Sequence, residues 1–136
     1  MSAPETTPAD EQKKLGNDFF AKREYSKAIE HYGNAIKLDE SNPFYYSNLS
    51  ACFAALKKWP EAMEAAMSCV SKDDTFVKGY LRLAAAQTEL KLYDEAETTL
   101  RAALTLEPGT CPLSILSLIV NRRVHVFCLR PSCLDE

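Results

Sequence analysis

Apolar residues recur along this chain with a helical period. Leu15, Phe19 and Phe20 lie on one stretch and Ala28, Ile29, Tyr32, Ala35 and Ile36 on the next, so each stretch predicts an amphipathic helix. The pattern then returns at a spacing of 34 residues. Ala28, Ala62 and Ala96 form one column, each preceded three residues earlier by an aromatic: Tyr25, Trp59 and Tyr93. Gly16, Ser50 and Ala84 form a second column, Ala35, Cys69 and Ala103 a third, and Leu15, Leu49 and Leu83 another. Small residues at fixed places have a physical cause, because two helices cross closely only where one side chain lets the other backbone approach. Each unit therefore reads as a helical hairpin, and the chain as an all-α array of three hairpins that stack into a superhelix. Boundary signals agree: Thr7-Pro8 fits an N-cap and first helical position, Ser41-Asn42-Pro43 breaks the chain, Pro60 suits a first turn, and Pro108-Gly109 closes the third unit.

Composition narrows the function classes. The chain has 136 residues, 46% hydrophobic and 26% charged, enough for a core without disulfides or metal. With 16 Lys plus Arg against 19 Asp plus Glu, it lacks the basic excess of a nucleic-acid binder. Its apolar runs are shorter than a bilayer span, so no transmembrane segment is expected. Met1 to Asp10 has neither the basic nor the apolar region of a secretory signal. Five cysteines without a Cys-x-x-Cys pair read as reduced thiols, which together with the missing signal predicts a cytoplasmic protein. Cys52 and Cys69 fall at small or apolar repeat positions and read as packing residues. The two histidines, His31 and His125, form no catalytic set, and no phosphate loop or nucleophile elbow occurs. His31 reads as a half-exposed structural residue. No enzyme activity, cofactor or metal is expected.

Stacked repeats curve into a concave surface where binding chemistry is to be sought, and the polar residues that stand out fall on the first helix of each unit. Lys13 and Asn17 are four apart on one helix face, as are Lys78 and Arg82, with Asn48 in the unit between. Three cations and two amides, with no acid expected among them, predict a small positive spot in an acidic protein. A chain-terminal aspartate offers two carboxylates and would suit such a spot. Lys13, Lys78 and Arg82 would supply charge, while the Asn17 and Asn48 amides would fix orientation and register.

With its repeated columns the sequence resembles the tetratricopeptide repeat family, across residues 9–42, 43–76 and 77–109. Phe19 and Phe53 occupy the family's usual aromatic position, where Gln87 departs from it; the closing proline is present only as Pro108, with Glu40 and Asp74 before it. The strings KKLGN, YSNLS and VKGYLR match a carboxylate-clamp subclass of three-repeat domains in which Lys13, Asn17, Asn48, Lys78 and Arg82 would be the clamp. That resemblance implies a non-enzymatic co-chaperone adaptor binding the acidic C-terminal tail of the seventy- or ninety-kilodalton heat-shock chaperones. An adaptor holding an internal peptide of another partner is the alternative. Phe20 would be a groove wall or, equally, a core residue between units.

Two segments flank the array: residues 1–8, expected to be flexible, and residues 110–136. In the latter Lys and Ala vanish and three of the five cysteines gather. Its apolar residues fall on every side, unlike a capping helix with a polar outer face. A poorly formed cap and a membrane-surface or partner-binding segment compete with an alternative C-terminus from altered splicing or a misread gene boundary, which is the favoured reading. Cys111, His125, Cys128 and Cys133 lack the spacing of a metal site.

Overall fold

The computed structural model describes residues 5–109, and the expectations for residues 1–4 and 110–136 lie outside it. Within those bounds the chain is all-α. Six helices follow in order: α1 (Pro8–Ala21), α2 (Tyr25–Leu38), α3 (Pro43–Ala55), α4 (Trp59–Lys72), α5 (Val77–Glu89) and α6 (Tyr93–Leu106). They pair as three antiparallel hairpins, each helix packs on the next, and α3 also meets α5, which brings the first helices of the second and third hairpins side by side.

Local chemistry sets the boundaries. The Thr7 hydroxyl accepts the Asp10 backbone N–H at 3.2 Å and Pro8 opens α1, satisfying an amide that has no helical partner. Asn42 caps α3 in the same manner, its Oδ1 accepting the Phe44 N–H at 3.0 Å, with Pro43 next. All three hairpin turns are alike: Arg23, Lys57 and Lys91, spaced 34 apart, take φ of 61°, 58° and 64°. The following amides reach back to Phe19, Phe53 and Gln87, closing a Schellman turn each time. A left-handed conformation costs a residue with a Cβ roughly 1 kcal/mol, which glycine avoids. Replacing Arg23, Lys57 or Lys91 by Gly is therefore expected to raise stability by up to about 1 kcal/mol each, and the gains should add in urea titrations because the turns are far apart. A lowered urea midpoint would show that these side chains contribute more than the backbone strain costs.

The small columns lie where the helices cross. Ala28, Ala62 and Ala96 are fully buried, as are Ala35, Cys69 and Ala103. At Gly16 the approach is tighter, since an added Cβ would sit 2.7 Å from Cε1 of Tyr32; at Gly79 it would meet Cys69 Sγ at 2.9 Å. The leucine column is uneven, with Leu15 41% exposed and Leu83 9%. The cause is position in the array: α5 packs on α3, α4 and α6, whereas α1 has α2 as its principal neighbour.

Gln87, the departure from the aromatic position, is explained by its partner across the hairpin. It is buried, and its Oε1 accepts from the Thr99 hydroxyl at 2.8 Å. The equivalent positions of the first hairpin hold Phe19 and His31, whose rings stack 5.1 Å apart. A stacked pair in one unit is thus replaced by a hydrogen-bonded pair in another, and in both the buried polar atom is satisfied. His31 is half-buried, and its Nδ1 lies 2.9 Å from Gln12 Oε1, as fits a structural role.

Candidate functional site

The five residues singled out by spacing lie on α1, α3 and α5, the first helix of each hairpin. Asn17 and Lys78 are exposed; Lys13, Asn48 and Arg82 are partly covered. Helical geometry puts Lys13 and Asn17 one turn apart on α1, and Lys78 and Arg82 one turn apart on α5, so each pair shares a face.

One expectation needs correction. An acid does intervene: Asp10, a turn before Lys13, brings its Oδ1 to 3.4 Å from Lys13 Nζ. Its carboxyl is held below the usual range by the Thr7 hydroxyl, which donates to Oδ2 at 2.8 Å, and also by Lys13. Both side chains are partly exposed, where ion pairs are weak and exchange readily.

Arg82 is the least satisfied member. Its Nε is buried and finds no hydrogen-bond acceptor among the described residues. A buried donor without an acceptor costs roughly 1–3 kcal/mol, so Arg82 is held in this position at a cost. Its charge acts on Cys52 and opposes the burial that pushes that thiol up to about 12. Cys52 in turn packs with Ala28 and Tyr32 in one buried cluster. Tyr32 and Cys52 thus share a buried cluster whose thiol feels the Arg82 charge. Cys52 and Cys69 are both buried free thiols, as their repeat positions predict; the Cys69 thiol donates to the Pro43 carbonyl at 3.2 Å.

Spacing alone did not reveal the support under Asn17. The Tyr32 hydroxyl donates to Asn17 Oδ1 at 2.5 Å, across the first hairpin. The two residues are 15 apart in sequence, and the only legible signal was that Tyr32 carries a hydroxyl where a core position needs none. Phe20 is not a core residue: it is 37% exposed at the end of α1, its ring edge-on to Tyr25 at 5.3 Å.

The repeat geometry is matched by sequence comparison, with TPR repeat over residues 16–57 and tetratricopeptide repeat over 77–110. The TPR2B domain of yeast Sti1, solved as a complex with pHsp70, superposes with a TM-score of 0.75 at 31% identity, covering 82% of this chain and 91% of that one. This chain belongs to the tetratricopeptide repeat family. Its six helices are three such repeats. The first TPR domain of Spaghetti (RPAP3), solved with the HSP90 peptide SRMEEVD, superposes with a TM-score of 0.84 at 26% identity, covering 88% of this chain and 96% of that one. Hsp70-Hsp90 organizing protein 2 of Arabidopsis thaliana is 41% identical over 100 residues. That alignment takes in 74% of this chain and 18% of the relative, so the repeats here correspond to a small part of a longer protein. Among the described residues no helix is long and apolar enough to cross a membrane.

Proposed function

We propose that residues 9–109 act as a non-enzymatic, cytoplasmic co-chaperone adaptor whose groove takes the acidic C-terminal tail of a heat-shock chaperone of the seventy- or ninety-kilodalton class. The observation that carries this reading is the buried Nε of Arg82, without an acceptor among the described residues, on the same array of first helices as Lys13, Asn17, Asn48 and Lys78. Similar repeat domains solved with HSP90 and Hsp70 peptides support the choice of ligand.

The mechanism is selection for a chain end. A terminal aspartate carries a main-chain and a side-chain carboxylate close together, and only a cluster of several charged donors recovers the hydration both lose on binding. Arg82 and Lys78 from α5 and Lys13 from α1 supply the charge. Asn17 and Asn48 add neutral donors and acceptors that set peptide direction. Phe20, exposed at the end of α1, provides an apolar wall for a side chain upstream of the terminus. No cofactor or metal takes part.

The test is a pair of calorimetric titrations with SRMEEVD, one peptide with a free C-terminal carboxylate and one amidated. The free form is expected to bind at least about tenfold more tightly, and its affinity to fall as salt rises. Equal affinity for the two forms would replace this reading with the alternative, a groove that holds an internal peptide of a non-chaperone partner.

A further inference from the structure

Asn17 differs from the other groove residues in being tied to a buried side chain beneath it. Tyr32 stands in α2 with its ring 2% exposed, packed with Ala28 and Cys52 and flanked by Phe19, Ile29 and Leu49. The ring crosses the α1 backbone at Gly16, so closely that a Cβ there would lie 2.7, 2.8 and 3.0 Å from three of its carbons. A ring wedged in this way carries its hydroxyl to one place. That place is Asn17 Oδ1, 2.5 Å away.

A carboxamide has an accepting and a donating end. With its oxygen engaged by Tyr32, Asn17 has its NH2 turned away from the hydroxyl. Burial pushes the Tyr32 hydroxyl up to about 12, so it remains a donor throughout the neutral range. Comparison between the repeats adds an independent observation. The positions equivalent to Asn17 are Ala51 and Ala85, and those equivalent to Tyr32 are Ala66 and Leu100. Amide and hydroxyl thus occur together in the first hairpin and are both missing from the other two. The Gly16 column follows the same logic, for Ser50 and Ala84 stand where the facing residue has no aromatic ring.

We infer that Tyr32 is a positioning residue for the groove: its hydroxyl holds the Asn17 carboxamide with Nδ2 facing outward, set to donate to a peptide carboxylate. The inference rests on the carboxylate reading of the site. It assigns to a core tyrosine a share in ligand recognition made entirely through Asn17.

The experiment combines a ligand-free and a ligand-bound measurement. In the first, the Asn17 side-chain amide resonances of the unliganded protein are followed by 15N-correlation NMR in the wild type and in Tyr32→Phe, which keeps the ring and removes the hydroxyl. They are expected to shift toward the positions of a free carboxamide. In the second, SRMEEVD is titrated into the wild type, Tyr32→Phe, Asn17→Ala and the double variant. Tyr32→Phe should weaken binding roughly 3- to 10-fold, and the double variant should bind no more weakly than Asn17→Ala alone, within about twofold. Asn17→Asp, which still accepts from Tyr32 but cannot donate, should lose at least as much as Asn17→Ala. A merely structural tyrosine would instead give losses that multiply. Unmoved Asn17 resonances, multiplying losses, or full affinity in Tyr32→Phe would each overturn the inference. If the resonances shift while the wild type ignores amidation of the peptide, the carboxylate reading is what fails.

Discussion

Arg82→Ala is expected to lower affinity for SRMEEVD by more than about tenfold while leaving the urea midpoint within the equivalent of about 0.5 kcal/mol of the wild type. Ordinarily the loss of a half-buried arginine costs stability, because its aliphatic stem packs and its donors are satisfied. Here one term has the opposite sign. The Nε of Arg82 is buried with no acceptor among the described residues, so removing it also removes a desolvated donor. The lost stem contacts and the relieved donor should nearly cancel. In the complex the balance changes, because the remaining guanidinium N–H donors gain a carboxylate. Arg82→Lys keeps the charge but not the planar fork, and should fall between the wild type and Arg82→Ala. Urea titration of the free protein beside calorimetry of the complex separates the two terms. A stability loss as large as the affinity loss would show that Arg82 is a structural residue and that the groove takes its ligand by other means.

The contrast between what the sequence disclosed and what it hid follows from the range of each constraint. Ala28, Ala62 and Ala96 were legible because a helix crossing limits the size of a single residue, and that limit repeats every 34 positions. The five polar residues of the groove were legible as residue types at helical spacings. Asp10 is legible by the same rule, as an acid three residues before Lys13 on a helix. The hairpin turns were hidden for another reason: Arg23, Lys57 and Lys91 hold left-handed conformations without the glycine that would announce them. The Asn17–Tyr32 and Gln87–Thr99 bonds join different helices of a hairpin, and pairings of that kind become visible only when the helices are docked. Gln87 looked like a defect in the repeat because its compensating partner lies 12 residues away.

Those buried groups also predict how the fold fails in alkali. Burial pushes the Cys52 thiol from an ordinary 9.0 up to about 12, the Cys69 thiol from 9.0 to about 11, and the Tyr32 hydroxyl from 10.0 to about 12. Each group is neutral when protonated, and each ionises more easily in the unfolded chain. Below pH 9 both states hold the protons and stability is independent of these groups. Above it the unfolded chain releases protons that the folded chain retains, so unfolding is favoured by up to about 1.4 kcal/mol per pH unit for each thiol. By pH 11 the two thiols together should remove roughly 4–5 kcal/mol, comparable with the whole stability of a small domain. Urea titrations at half-unit steps from pH 7.5 to 11 should give a level stretch followed by a steep fall. Cys52→Ala and Cys69→Ala are suitable controls, because the equivalent residues of the third repeat, Ala86 and Ala103, are buried alanines already. The double variant should flatten the fall up to about pH 10, above which Tyr32 continues it together with Tyr45 and Tyr46, whose hydroxyls burial also pushes up. If the wild type holds its stability to pH 11, or the double variant falls as steeply, the destabilising ionisations belong to groups other than these thiols.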